Sequence, residues 1–227
     1  MSEFAQTLDR LKEELLTQAG RVHDLVTRAV ESFFDQDRPK AKQVVDDDRP
    51  IDKVDVEIER ASIRLLGMGP TDDRDIRSVL TIVKVNNELE RIADVGVNIA
   101  EVVLNADGID RAIPATFRVM ANSVIGMLRD TNRALRDNNV RIAEQVLDFD
   151  DTVDRFKREI SLDAQKRVAE GDYAVEFAFR MMAVTKAVER IADHCTNICE
   201  QVIYLETGQI VRHLPGGWTD PAKPEEI

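Results

Sequence analysis

Two sets of acidic side chains, spaced for one face of a helix, are the residues in this sequence that could do chemistry. Successive members of each set are four, four and three residues apart. At about 100° per residue, such a set falls within roughly 80° of the helix circumference. The members are Glu90, Asp94, Asn98 and Glu101 in the first set, and Glu189, Asp193, Asn197 and Glu200 in the second. Their oxygens are hard donors, so the pattern predicts a site for Mg²⁺, Mn²⁺, Fe or Ca²⁺.

An acidic pair precedes each set on the helix before it. The pairs are Asp48 with Asp52, and Asp150 with Asp154. Clustered carboxylates repel one another unless protons or cations lie between them. If the faces of neighbouring helices meet, each pair adds oxygen ligands to the set that follows it. Neither set contains a Cys or His, which disfavours a structural zinc site.

An internal repeat connects the two sets. Residues 90–101 (ERIADVGVNIAE) and 189–200 (ERIADHCTNICE) are identical at eight of twelve positions. Residues 41–58 and 143–160 also align, at an offset of 102 rather than 99. A single acidic set would favour a solvated helix face. All four members of the acidic set are identical in the two copies of the repeat, while neighbouring positions differ. The repeat therefore favours metal binding over a purely structural acidic face.

The elements that position these sets are predicted to be helices throughout. Apolar residues recur at steps of three, four and seven, and aromatic residues are only 5% of the chain. With the repeat, this predicts an all-α fold of two tandem, pseudo-symmetric three-helix bundles. The expected boundaries are 1–108 for the first bundle, 109–212 for the second and 213–227 for a mobile tail.

Breakers and caps set the expected ends of the helices. The first helix is predicted over 5–36, and the second is expected to begin at Pro39. Pro50 should kink that second helix or make it restart, because proline lacks an amide hydrogen. Thr71 is the expected N-cap of the third helix. Asn139 and Gly171 lie in the segments predicted to separate the fourth, fifth and sixth helices.

Charge and composition restrict the partners. The formal net charge of −12 repels phosphate backbones and anionic membranes, so we expect no nucleic-acid partner. There is no signal sequence and no apolar stretch of about 20 residues, which predicts a cytoplasmic protein.

Cys195 and Cys199 are interpreted as core residues, since Gly96 and Ala100 replace them in the first copy. His194 is interpreted as a local feature, and no catalytic set is recognised, so we expect no enzyme activity.

Three features of the sequence resemble the PhoU family of bacterial phosphate-signalling proteins. They are the paired ERIAD segments, each followed by N-I-x-E, the AKQVV segment, and the closing segment YLETGQIVRH. The resemblance extends over about residues 1–213. It implies metal ions, often clustered, at the two acidic sets. The ligands implied are Glu90, Asp94, Asn98, Glu101, Glu189, Asp193, Asn197 and Glu200, with Asp48, Asp52, Asp150 and Asp154 as further candidates.

The function implied by the resemblance is regulatory. Such proteins repress the phosphate-starvation response and are thought to couple a phosphate ABC transporter to a membrane sensor histidine kinase. The resemblance therefore implies these two partners and membrane contact only through them, and the helical faces could support a homodimer. Two alternatives are a carboxylate-bridged metal enzyme, which the missing histidine ligands disfavour, and a helical scaffold without metal.

Overall fold

A computed structural model describes residues 2–69, 72–105 and 113–211 of the 227-residue chain. The secondary-structure elements of these segments are six α-helices, which confirms the all-α prediction. The helices are α1 (Glu3–Asp35), α2 (Arg38–Gly67), α3 (Asp73–Leu104), α4 (Ala115–Asp137), α5 (Val140–Ala169) and α6 (Val175–Thr207). None of the described helices is both long enough and apolar enough to cross a bilayer.

The helices pack as two bundles of three. Helices α1, α2 and α3 contact one another, and so do α4, α5 and α6. The bundles are joined through α3 against α6 and α1 against α4. The predicted pair of three-helix bundles is therefore confirmed. The expected boundary between 108 and 109 and the expected mobile tail from 213 onward lie outside the described residues.

Local polar groups explain where several helices begin. The side chains of Ser2, Asp37 and Asn139 each accept a hydrogen bond from a backbone amide in the first turn of α1, α2 and α5. Such N-caps satisfy amides that have no partner within the helix. Thr71, the predicted cap of α3, lies outside the described residues. Asp72 caps this helix, accepting a hydrogen bond of 2.9 Å from the amide of Asp75.

The α2 helix continues through Pro50, so of the two predicted effects the restart is wrong, and the kink stays a prediction. Proline removes one helical hydrogen bond, that to the carbonyl of residue 46. Both Pro50 and Asp46 are exposed, and water can therefore satisfy this carbonyl. On either side of the proline, Val44 and Ile51 are buried and hold the helix against the core.

Close packing of α3 on α1 depends on a glycine. A Cβ atom at Gly96 would lie 2.7 Å from Cδ2 of Leu25 and 3.4 Å from Cγ2 of Val26. Both neighbours are fully buried. The equivalent position in the second bundle holds Cys195, which is also buried. Gly96 therefore allows α3 to approach α1 more closely than a larger residue would.

We predict that Gly96→Val lowers the free energy of unfolding by about 1–3 kcal/mol, because the added methyl groups overpack the α1–α3 contact. Gly20→Val is the matched control, since Gly20 is an exposed helical glycine with no atom within 4 Å of an added Cβ. Chemical denaturation measures both. Equal stability of the two variants would contradict this account of Gly96.

Three phenylalanines join the bundles where α1 ends and α4 begins. The ring centroid of Phe117 lies 5.6 Å from that of Phe33 and 5.7 Å from that of Phe34, both edge-on. Phe33 and Phe117 are almost completely buried. The guanidinium of Arg118 covers the Phe34 ring at 4.1 Å from its centroid. This aromatic cluster is a hydrophobic anchor between the two halves of the molecule.

Candidate metal centre

Helices α2 and α3 bring acidic side chains of the first repeat together. The half-buried Asp48 carboxyl interacts with Asp52 on its own helix and with Asp94 on α3. Burial, followed by the charges of these two neighbours, raises the pKa of Asp48 to about 6. The acidic faces of α2 and α3 are therefore within electrostatic range of each other. We call Asp48, Asp52, Asp55, Glu90 and Asp94 the first acidic cluster.

Two buried carboxylate oxygens in the first acidic cluster lack hydrogen-bond partners. They are Oδ1 of Asp48 and Oε2 of Glu90. The guanidinium of Arg91 lies 3.3 Å from Glu90 Oε2 and 3.7 Å from Asp94 Oδ2, but it is half exposed. Burial and then Asp94 raise the pKa of Glu90. A buried oxygen without a partner is costly, and a cation would satisfy it.

Helices α5 and α6 form a corresponding group in the second bundle. Burial, followed by the charges of Asp193 and Asp154, raises the pKa of Asp150 to about 6. Burial and then Glu189 also raise the pKa of Asp193. We call Asp150, Asp154, Glu189 and Asp193 the second acidic cluster. The pseudo-symmetry of the fold thus extends to the electrostatics of both sites.

A lysine enters the second acidic cluster from α5. The ammonium Nζ of Lys157 lies 2.5 Å from Oε1 of Glu189, whose side chain is 14% exposed. Asp154 and Asp193 also interact with this ammonium. Sequence reasoning missed Lys157, although the alignment of 41–58 with 143–160 places it opposite Asp55 and could have revealed the difference.

The fit to a metal ion rests on charge and unsatisfied oxygens. Among the described residues, no three His, Cys, Asp or Glu side chains converge closely enough to hold an ion as they stand. Like charges keep neighbouring carboxylates apart. The unpartnered Oδ1 of Asp48 and the raised pKa values of Asp48 and Asp150 nevertheless match a site that favours added positive charge. The donor set is all oxygen, which suits Mg²⁺, Mn²⁺, Fe or Ca²⁺.

The outer members of the predicted sets have different surroundings. Asn98 and Glu101 are exposed on α3. Asn197 instead faces the first bundle, where its Nδ2 donates to Oε2 of Glu88 at 3.0 Å. Glu200 is half-buried and lines a small recess with Lys84. The inner members of each set therefore face the preceding helix, while Asn197 faces the other bundle.

Glu88 makes a contact between the bundles that sequence reasoning missed. Its Oε2 lies 2.7 Å from Nδ1 of His194 and accepts the amide of Asn197, so α6 holds α3 through one carboxylate. Burial acts to raise the pKa of Glu88, but the hydrogen bonds from His194 and Asn197 outweigh it and the pKa is lowered. The contact has no counterpart in the other bundle, because Ala187 takes the place of Glu88 there. His194 is thus a structural residue between bundles.

We predict that Glu88→Ala lowers the free energy of unfolding by about 1–3 kcal/mol, because the partly buried His194 and Asn197 lose their acceptor. Glu206→Ala is the control, since Glu206 is exposed on α6. Thermal unfolding measures both variants. A midpoint for Glu88→Ala equal to that of the control would show that the contact does not stabilise the molecule.

The two cysteines lie in the core, as predicted. Both are completely buried, and Sγ of Cys199 donates a weak hydrogen bond of 3.7 Å to Oγ1 of Thr131. Burial raises the pKa of the Cys195 thiol far above its ordinary value and that of Cys199 to about 12. Burial thus favours the protonated thiol at both positions, as is typical of structural core cysteines.

Comparison with known proteins gives consistent matches across the chain. Residues 15–103 and 117–202 each match the family model described as the PhoU domain. The chain is 32% identical over 210 residues to a phosphate-specific transport system accessory protein PhoU homolog of Clostridium acetobutylicum, covering 92% of this chain and 96% of that protein. It is 29% identical over 216 residues to PhoU homolog 1 of Thermotoga maritima, covering 94% and 93%.

The fold is also that of a solved structure. The crystal structure of PhoU from Pseudomonas aeruginosa matches with a TM-score of 0.87 and 27% identity, covering 91% of this chain and all of the other. Each of the two segments that match the family model lies in one bundle and contains one acidic set.

Proposed function

Because the chain belongs to the PhoU domain family, we propose that it is a negative regulator of phosphate uptake and of the phosphate-starvation response. The observation that carries the proposal is the match of both bundles to the PhoU domain. The relatives that align over more than nine-tenths of the chain are named as accessory proteins of phosphate-specific transport. The same role is proposed for this chain.

The proposed mode of action is that of a cytoplasmic adaptor between a phosphate ABC transporter and a sensor histidine kinase. Long rigid helices provide broad faces for docking. Several large apolar side chains are exposed on them, including Ile63, Leu162 and Phe179, each at least 64% exposed. Exposed apolar surface is typical of protein contacts. The same faces support a proposed homodimer, whose symmetry would present two copies of each surface.

We further propose that the acidic clusters bind metal ions. A bound cation would supply the positive charge that offsets the carboxylates of two neighbouring helices. The first acidic cluster offers Asp48, Glu90 and Asp94, and the second offers Asp150, Glu189 and Asp193. The buried Oδ1 of Asp48, which has no hydrogen-bond partner, supports this proposal. The ions would then hold α2 to α3 and α5 to α6, and stiffen the faces used for docking.

Phosphate uptake in living cells tests the regulatory proposal. Radiolabelled phosphate uptake is measured in phosphate-rich medium in a strain that lacks the gene and in the same strain with the gene restored. We expect uptake to be higher without the gene and to fall on restoration, since the protein restrains the transporter. Equal uptake in both strains would overturn the proposal. The strain carrying an empty vector is the control for expression.

A further inference from the structure

We propose that the surface between α2 and α3 and the surface between α5 and α6 each bind one amphipathic helix of a partner protein. This helix carries large apolar side chains at one end and Lys or Arg at the other. The inference rests on the proposed docking function and names the chemistry of the partner. The first seam consists of Leu66, Ile76, Leu80 and Val83 with the first acidic cluster, and the second seam of Val168, Val175, Phe179 and Met182 with the second acidic cluster.

Equivalent positions at the apolar ends of the two seams are apolar in both repeats. At the offsets of 102 and 99, the pairs are Leu66 with Val168, Ile76 with Val175, Leu80 with Phe179, and Val83 with Met182. Leu66, Ile76 and Leu80 are 38–40% exposed, and Val175 and Phe179 are 57% and 72% exposed. Packing of the core does not explain apolar residues at such exposed positions. A contact surface present in both repeats does explain them.

The apolar end of the second seam is a groove between α5 and α6. Its volume is about 500 Å³. Two small residues that line it, Ala164 and Ala178, are buried, whereas Phe179 stands out into solvent beside them. Val168 and Met182 also line the groove. A groove between two helices that contains small residues accepts the side chains of a third helix.

Each apolar end continues into an acidic end on the same side of a helix. Ile76 and Asp94 are 18 residues apart on α3, which is about five full turns, and so lie on one side of it. The equivalent residues of α6, Val175 and Asp193, have the same separation. The two ends of a seam are therefore about 27 Å apart along the helix, the length of a partner helix of about 18 residues.

The charge of the seams favours a basic partner. Arg91 offsets part of the charge of the five carboxylates in the first acidic cluster. Lys157, Lys186 and Arg190 face the four carboxylates of the second. Both seams thus keep more carboxylates than cations, and the whole chain has a formal net charge of −12. This field attracts a basic helix, whereas a second copy would bring its own carboxylates against these.

The two seams are placed to bind separate helices. Arg77, near the start of α3, lies beside Gly208 at the end of α6, and Glu88 contacts Asn197. Helices α3 and α6 are therefore antiparallel, so the apolar ends of the two seams, near the starts of these helices, point to opposite ends of the molecule. We expect each chain to bind two partner helices.

Fluorescence anisotropy of a labelled helical peptide with the purified full-length protein tests the inference. The peptide has about 18 residues, with Leu along one side of its first half and Lys along the same side of its second half. A matched peptide has Glu in place of each Lys. We expect two Lys peptides to bind each chain, and the Glu peptide to bind at least about tenfold more weakly. Equal binding of both peptides, or no binding of the Lys peptide, would overturn the proposed partner chemistry.

Substitutions distinguish docking in the seams from general attraction of a basic peptide. Phe179→Ser should leave one bound Lys peptide in each chain, and the double variant Leu80→Ser with Phe179→Ser should weaken binding at both seams by about tenfold or more. Leu162→Ser is the matched control, because Leu162 is an exposed leucine of α5 that lies toward α4, beside Ala115. Circular dichroism verifies that each variant is folded. Equal affinities of the double variant and the control would show that the seams do not hold the peptide.

The same variants test for a second copy as the occupant. If the wild type is a dimer by light scattering, fails to bind the Lys peptide and becomes a monomer in the double variant, a second copy covers the seams and the inference is wrong.

Peptide binding and the regulatory role can fail separately. If the peptide does not bind while restoring the gene still lowers phosphate uptake, the inference is wrong and the proposed function stands. If the peptide binds as expected while uptake is the same with and without the gene, the proposed function is wrong and the docking surfaces stand.

Discussion

Replacing Phe117 by alanine is expected to lower the free energy of unfolding by about 3–5 kcal/mol, the largest effect of any substitution considered. Phe117 lies in the contact between α1 and α4 and is fully buried. Its ring packs edge-on against both Phe33 and Phe34. Truncation therefore leaves a cavity between the bundles and removes two aromatic contacts. Urea denaturation followed by circular dichroism measures the loss.

Phe179→Ala is the matched control for that experiment. It removes the same ring from the same bundle, but Phe179 is 72% exposed on α6. Its truncation should change the free energy of unfolding by less than about 0.5 kcal/mol. Similar losses for Phe117→Ala and Phe179→Ala would contradict the assignment of the aromatic cluster as the anchor between bundles.

The second large effect concerns pH. Without divalent ions, lowering the pH from 7.5 to 5 is expected to raise the free energy of unfolding by about 1–2 kcal/mol, allowing for solvent screening. Burial and neighbouring carboxylates raise the pKa of Asp48 and Asp150 to about 6 in the folded state, above their ordinary value of 3.8. The folded protein therefore takes up protons in this window that the unfolded chain does not, and stability increases as the pH falls through 6.

Glu88 does not reverse this trend. Its pKa is lowered, so the stability it provides is present above the ordinary value of 4.5 and is lost only below that pH.

Guanidinium titrations at a series of pH values, with chelator present, measure how the free energy of unfolding changes with pH. The double variant Asp48→Asn with Asp150→Asn should show a flatter pH profile and higher stability at pH 7.5. A wild-type profile that falls from pH 7.5 to 5 would contradict the electrostatic account of the clusters.

Helices and their pairing were predictable from the sequence because the signals are local and repeated. The heptad-like apolar spacing defines one buried face for each helix, and the duplicated ERIAD segments fix the correspondence of the bundles. The continuous helix at Pro50 excludes the restart, one of the two predicted effects, and shows the limit of local reasoning. Proline disfavours a helix interior, yet burial of Val44 and Ile51 on either side outweighs the loss of one solvent-accessible hydrogen bond.

The inner part of the candidate site was predictable for the same reason. Asp94 and Asp193 meet the acidic pairs of the preceding helices as the spacing indicates. The roles of Asn197 and Glu88 were not predictable, because their contact joins residues 109 positions apart across the two bundles. Periodicity assigns a residue to a face, but only the packing of α3 on α6 determines which helix that face meets.

The most direct test of the central claim is the activity of a phosphate-starvation reporter, alkaline phosphatase, in a strain lacking this gene. Cells are grown with ample phosphate, with and without the gene restored. The account predicts high activity without the gene and a fall to the repressed level on restoration, because the protein keeps the starvation response silent. Low activity that is the same with and without the gene would contradict it.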